Sequence, residues 1–262
     1  MAYENEIAGI AALGRTKSEA FSTSKLKSVV GGMQAGAYVG VAIILIMTLG
    51  SAVPVDFQAL VMGVTFGLAL ILVVIGGAEL FTGYNFYTSV AIATRELSLQ
   101  QAAWSNTQVF ASNLLGAFIL VSVYWLGDGG LTHGSSIEFV QSVAAKKMEL
   151  PATALIARGA LCNWLVCLAL WMSLRVSSDS AKCIVIAWCL LAFIAAGFEH
   201  SVANMTVHLL ALFGPSNEAI SILGATYNLV WVTLGNIIGG SVFVGFAYWS
   251  QTSRPQNTTE SG

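Results

Sequence analysis

Six stretches of the chain, 28–55, 57–94, 97–127, 150–174, 183–217 and 219–253, hold almost no Asp, Glu, Lys or Arg. The exceptions are single residues: Glu79 in the second, Arg158 in the fourth and Glu199 in the fifth. Each stretch is longer than the roughly 20 apolar residues a helix needs to cross the hydrocarbon layer. In lipid every backbone polar group must bond internally, so only helices and closed barrels span. Continuous apolar runs, without the strict alternation of a barrel strand, select helices. The chain is therefore expected to be an all-α membrane protein with six transmembrane helices in a lipid bilayer. Composition points the same way: the 262 residues are 56% hydrophobic and 9% charged, with mean hydropathy +0.76, against roughly 25% charge in soluble domains. So few charges cannot cover a water-soluble fold, which excludes an ordinary soluble enzyme, a nucleic-acid binder with a basic face and a disordered chain. Cys162, Cys167, Cys183 and Cys189 lie in apolar stretches without ligand-like spacing, and read as small hydrophobes rather than a disulfide framework or a metal site.

Residues 1–27 are polar, lack an apolar core of signal-peptide type and read as a retained, cytoplasmic N-terminal amphipathic segment with Ile7, Ile10 and Leu13 on one side. With that end inside, Arg15, Lys17, Lys25, Lys27, Arg95, Arg175, Lys182 and Arg254 are cytoplasmic, eight of the eleven basic residues. That is the positive-inside pattern. Lys146 and Lys147 fall outside and Arg158 within a span. The expected organisation is thus the segment 1–27, a six-span domain over 28–250 and a tail over 251–262, with both termini cytoplasmic.

The second and fifth stretches are longer than a straight span requires, and each carries its lone glutamate near the middle beside glycine. Gly76-Gly77-Ala78-Glu79-Leu80-Phe81-Thr82-Gly83 and Gly197-Phe198-Glu199-His200-Ser201-Val202-Ala203-Asn204 have the character of broken helices, whose freed backbone groups are tolerated at membrane depth only in a cavity or inside protein. The two halves also repeat. Gly77-x-Glu79 recurs as Gly197-x-Glu199, 120 residues on, and Asn113-x-x-Gly116 as Asn236-x-x-Gly239, 123 residues on. With three spans per half, an odd number, the second copy must be inverted. Inverted repeats with a broken helix in each place a transport path at their interface.

The individual side chains leave two readings open. Glu79 and Glu199 either hold the breaks by accepting exposed N–H groups, the reading favoured by the need to satisfy buried polar atoms, or line a path. An imidazole at mid-membrane, His200, is a functional residue by default, whereas His133 in a glycine-rich outer loop and His208 read as incidental. Lys147 is either a solvated interface lysine like Lys146 or an anion attractor. Arg158, one turn into its span, must snorkel, pair or meet another subunit, and pairing or subunit contact fits better than transport. Phe66, Leu70 and Phe193 read as ordinary apolar residues on spacing alone.

The sequence also resembles the formate/nitrite transporter family, on its nitrite-channel branch. The resemblance rests on Gly36-Ala37-Tyr38-Val39-Gly40, Glu79-Leu80-Phe81-Thr82-Gly83, Gly159-Ala160-Leu161-Cys162-Asn163-Trp164-Leu165-Val166-Cys167, Gly197-Phe198-Glu199-His200-Ser201-Val202-Ala203-Asn204-Met205 and Gly235-Asn236-Ile237-Ile238-Gly239-Gly240. It runs over 28–250, in order. It implies an aquaporin-like protomer of six helices with broken second and fifth helices, a homopentamer with one pore per protomer, and no cofactor, metal or nucleic acid. It further implies a bacterial cytoplasmic (inner) membrane. His200 takes the place of the family's central histidine, Thr82 its break-loop threonine, Asn163 and Asn204 its pore asparagines, and Lys147 its outer lysine. Phe66 and Leu70 fall at the cytoplasmic constriction and Phe193 at the periplasmic one, with Glu199 in the pathway beside His200. Gly83 and Tyr84 stand where branches of the family vary.

The implied substrate is a small monovalent anion of a weak acid, nitrite first, with formate or hydrosulfide as alternatives. A bare anion pays heavily to enter a narrow apolar tube and a neutral acid far less, so His200 either lends the anion a proton or donates a hydrogen bond while neutral. An alternating-access carrier is a rival reading. An intramembrane hydrolase using His200 and Ser201 is a more remote one, because neighbours on a helix point about 100° apart.

Overall fold

The computed structural model of the protein describes residues 3–252, and all secondary structure among them is helical. Arg254 and the part of the expected tail beyond Thr252 lie outside the described residues. Five helices are long and apolar enough to cross a membrane: α2 (Lys25–Ala52), α3 (Val55–Gly76), α5 (Leu99–Leu126), α7 (Ala152–Arg175) and α10 (Ile222–Ile238), the last running on through a π-helical stretch, Gly239–Phe246, and a final turn, α11 (Ala247–Trp249). Around them lie α1 (Glu4–Thr23), α4 (Phe81–Ala93), α6 (Gly134–Glu149), α8 (Asp179–Ala195) and α9 (Ser201–Phe213). The long helices bury only a third to a half of their most apolar windows, and leave side chains such as Phe57, Trp104, Val123 and Leu223 exposed. An apolar exterior of this kind is unstable in water and stable against lipid or another protomer.

Local sequence accounts for where the helices end. Ser98 caps α5 through a reciprocal bond with Gln101, whose backbone N–H lies 3.2 Å from the Ser98 hydroxyl. Pro54 and Pro151 immediately precede α3 and α7, where a missing N–H costs nothing. The N-terminal segment does form a helix, but its buried face is Ile7, Ile10, Ala11, Gly14, Ser18 and Phe21, with Leu13 half-buried. That face docks on α4, with Gly14 against the carbonyl of Tyr87. Residues 134–149, read from sequence as part of an outer loop, form α6, because Ile137, Val140, Ala144 and Met148 recur on one face and are buried.

The core is assembled from two similar helix pairs in which small residues bring backbones into contact. In the α2/α5 pair Gly36 lies against the carbonyl of Asn113 and Gly116 against that of Met33; in the α7/α10 pair Gly235 lies against Ile156 and Gly239 against Ala160. Close approach of this kind is the main source of helix association where lipid removes the hydrophobic driving force. A methyl at Gly239 would overlap the Ala160 carbonyl, which no rotamer change relieves, whereas one at Gly9 in α1 meets nothing within 4 Å. Gly239→Ala is expected to lower the thermal midpoint in detergent, at a cost of about 1–3 kcal/mol. Gly9→Ala should leave the midpoint unchanged or raise it slightly. Equal midpoints, followed by tryptophan fluorescence, would show that the α7/α10 contact is looser than its geometry.

Candidate functional site

The two sequence segments singled out around Glu79 and Glu199 are the places where helical structure is interrupted. Between α3 and α4, Gly77 adopts φ 77°, and between α8 and α9, Gly197 adopts φ 69°, a left-handed conformation that glycine alone takes without strain. Each interruption is tied off in the same way by one buried asparagine. Asn113 accepts a bond from the Phe81 N–H at 2.9 Å and donates to the carbonyls of Gly32 and Glu79, both at 2.8 Å. Asn236 accepts from the Ser201 N–H at 2.9 Å and donates to Gly159 and Glu199 at 2.8 and 2.9 Å. The Glu79 N–H donates to the Gly31 carbonyl at 3.0 Å, and the Glu199 N–H to that of Arg158 at 3.3 Å.

Both glutamates are ion-paired with lysines brought by the amphipathic helices. Lys17 of α1 reaches Glu79 at 2.5 Å, and Lys147 of α6 donates to both Glu199 oxygens at 2.9 Å. The second pair is the more enclosed, the Glu199 side chain being 4% exposed against 23% for Glu79. Asn204 donates to Glu199 at 2.6 Å and to Asn228 at 2.8 Å, and Asn228 donates to the Lys147 carbonyl at 2.9 Å. His208 completes this chain with its Nε2 3.0 Å from the Asn228 oxygen. It is a buried member of a polar network rather than an incidental residue, while His133 sits on the surface against Asp128.

His200 occupies the N-cap of α9. Its Nδ1 accepts the Ala203 N–H at 3.2 Å, so in the neutral ring the proton resides on Nε2, which lies 3.2 Å from the Thr82 hydroxyl. Both nitrogens are thus committed to protein groups, and to donate to anything else the ring must exchange Thr82 for it. The ring stacks on Phe193 with centroids 6.0 Å apart, and Phe193 meets Phe66 edge-on at 5.5 Å.

Three cavities follow one another through these residues. One of about 530 Å³ is lined by Lys17, Leu70, Glu79, Leu80, Gly83 and Tyr84 among others. Another of about 640 Å³ is lined by Lys146, Lys147, Arg158, Phe193, Glu199, His200 and Asn204 among others. Between them is a space of only about 10 Å³, enclosed by Phe66, Leu70, Leu80, Leu190, Phe193 and His200 among others. Leu70 and Leu80 border both the first cavity and the centre; Phe193 and His200 border both the centre and the second cavity. About 10 Å³ is at the threshold for one water molecule.

The residues expected from sequence are therefore brought together, in differing roles. His200, Phe66, Leu70 and Phe193 surround the narrow centre, and Lys147, Glu199 and Asn204 form one network in the larger cavity. Thr82 and Asn163 border none of the three spaces. Asn163 instead donates to the carbonyls of Thr82 and Asn236, at 3.1 and 2.6 Å, and so ties α10 to the start of α4, where the Thr82 hydroxyl meets His200. Sequence reading missed Lys17, counted there only as an inside charge, and Leu80, which stands 120 residues before His200 in the repeat and closes the centre from the other side.

Residues 5–250 match the sequence model of the family described as formate/nitrite transporter. The nitrite transporter NirC of Escherichia coli (strain K12) is 47% identical over 225 residues, covering 86% of this chain and 83% of that protein. A solved structure of an FNT family ion channel superposes with TM-score 0.92 at 44% identity, over 95% of this chain and 99% of that one. A pentameric formate channel with formate bound superposes with TM-score 0.77 at 29% identity, over 87% and 97%.

The unequal enclosure of the two ion pairs has a measurable consequence. Removing one partner of a buried pair strands the other charge and costs about 3–5 kcal/mol, while a solvent-reached pair is worth about 0–1 kcal/mol. Glu199→Gln is accordingly expected to depress the thermal midpoint of the purified protein well below that of Glu79→Gln. Midpoints that fall together would mean that water enters the Lys147 cavity as freely as the Lys17 cavity.

Proposed function

The chain belongs to the formate/nitrite transporter family, and we propose that it is a transmembrane passage for nitrite, with formate and hydrosulfide as the other anions its size would admit. The arrangement that carries this reading is the succession of two lysine-bearing cavities joined through an apolar centre that only His200 makes polar. Lysines at wide mouths raise the local concentration of an anion without holding it tightly, because each is partly neutralised by its glutamate. The centre, closed by Phe66, Leu70, Leu80 and Phe193, excludes a hydrated ion by size and dewetting. A small anion crosses such a gap most cheaply as its neutral acid. His200 offers the one donor there, by exchanging Thr82 for the solute.

The reading includes a topology. Each interrupted pair, α3 with α4 and α8 with α9, makes one crossing, which with α2, α5, α7 and α10 gives six. The three crossings after α1 and the three after α6 form inverted repeats, so that both termini and the Lys17 cavity face the cytoplasm and the Lys147 cavity faces outward. The organisation is then a cytoplasmic N-terminal segment over 1–27, a channel domain over 28–250 and a cytoplasmic tail over 251–262. The exposed apolar side chains meet lipid and neighbouring protomers of a homopentamer, as in the pentameric relative, in a bacterial cytoplasmic membrane. The chemistry needs no cofactor, and transport rather than catalysis is the outcome.

Nitrite uptake by the purified protein in liposomes tests this. Uptake is expected to be carried by the unmodified protein and to fall by roughly tenfold in Lys147→Glu, with a smaller loss in Lys147→Gln. His200→Asn keeps a good helix cap, so the ring should assemble while the pH dependence of uptake changes. A wild-type pH profile in His200→Asn would remove the histidine from the path, and equal uptake in both lysine variants would reduce Lys147 to a structural residue.

A further inference from the structure

The two halves match closely at their breaks, and Arg158 is where they part. The Glu79 N–H donates to the Gly31 carbonyl and the Glu199 N–H to the Arg158 carbonyl, so Gly31 and Arg158 are counterparts. A side chain at Gly31 would leave the backbone directly beside Glu79, its Cβ 3.1 Å from the Glu79 Cγ. In the second half that position carries an arginine, and Arg158 is exposed and lines the Lys147 cavity. Lys17, Lys147, Arg15 and Arg175 each have a carboxylate partner, but among the described residues Arg158 has none. Of the pairing or subunit contact expected from sequence, no ion pair is present among the described residues, and the residue borders the cavity. The charge it adds makes the two cavities unequal. Lys17 and Lys182 are balanced by Glu79 and Asp179 in one, whereas Lys146, Lys147 and Arg158 outnumber Glu149 and Glu199 in the other.

An unpaired cation about two turns into an apolar helix is costly, and is retained where it meets water or an anionic ligand. A guanidinium differs from an ammonium in presenting a planar fork of donors that matches two oxygens on one centre. Resting on the passage reading above, we propose that Arg158 is an anion-capture residue of the Lys147 cavity, selective for bent two-oxygen monovalent anions, nitrite and formate, over one-centre anions such as hydrosulfide. Lys147 attracts any anion. Arg158 sorts them by shape before they reach His200.

The test is uptake of nitrite, formate and hydrosulfide into oriented vesicles containing the full-length protein, compared with Arg158→Gln and Arg158→Lys. Arg158→Gln is expected to raise the half-saturating concentrations of nitrite and formate on the Lys147 side by roughly tenfold, the scale of one charge-assisted hydrogen bond. Hydrosulfide should change by less than about twofold. Entry from the Lys17 side should keep its wild-type half-saturation. Arg158→Lys, which restores charge without the fork, should recover hydrosulfide fully and the two-oxygen anions only in part. Full recovery of all three by lysine, or an equal shift for all three in glutamine, would overturn the shape-sorting role. Loss of the oligomer in Arg158→Gln, seen by native electrophoresis, would make the residue a subunit contact and overturn the proposal. Unmodified protein that carries none of the anions would overturn the passage reading itself, and the arginine assignment with it.

Discussion

Two asparagine side chains make the interrupted helices possible. A helix break at membrane depth frees N–H and C=O groups that lipid cannot satisfy, each costing several kcal/mol. Asn113 and Asn236 meet that demand with one acceptor and two donor bonds apiece, joining the residue after the break, the glutamate carbonyl and a glycine carbonyl on the neighbouring helix. The bonds reach only because α2 and α5, and α7 and α10, approach at backbone contact through Gly36, Gly116, Gly235 and Gly239. Close packing, break closure and the placing of the glutamates are one device, used twice.

The departures from this duplication carry the chemistry. Leu80 and His200 take corresponding places at the starts of α4 and α9, so one half contributes an apolar plug and the other a polar ring to the same narrow centre. Tyr84 and Asn204 correspond four residues on. The tyrosine ring lies 5.8 Å from the Lys17 ammonium, while the asparagine amide bonds Glu199 and extends the network to Asn228 and His208. In the proposed topology, a symmetric pair of mouths would treat both sides of the membrane alike. These substitutions, with arginine for glycine beside Glu199, build a more tightly bonded and more positive cavity on one side of the constriction.

Much of this was legible from where charge is missing. Apart from α1 and α6, the helices keep to the six charge-poor stretches, overrunning them by a few residues at most, and the interruptions fall at the glycine-flanked glutamates, because both signals are local. The partners of those glutamates were less visible. Lys17 lies 62 residues from Glu79 and Lys147 lies 52 from Glu199, on amphipathic helices whose apolar periodicity says which face is buried and not where that face docks. Asn163, a pore residue by the family resemblance, has its contacts with the carbonyls of Thr82 and Asn236, and the direction of a side chain is not legible in sequence. His208 reads as incidental from sequence; its meaning comes from Asn228, on a different helix.

The committed nitrogens of His200 decide how rigid the centre is. The ring caps α9 through Nδ1 and holds Thr82 through Nε2, and Thr82 in turn is fixed through its carbonyl by Asn163 and the Cys167 thiol. Both anchors are modest bonds, worth about 0.5–1.5 kcal/mol each, beside the much larger cost of opening the aromatic contact between Phe66 and Phe193 to a bare ion. In the proposed passage, a solute that offers an acceptor repays the Thr82 bond directly, whereas a hydrated cation offers none and meets only apolar walls. Selection at the centre, as proposed, therefore needs no tight site. It follows from a bond that the right kind of solute can replace and the wrong kind cannot.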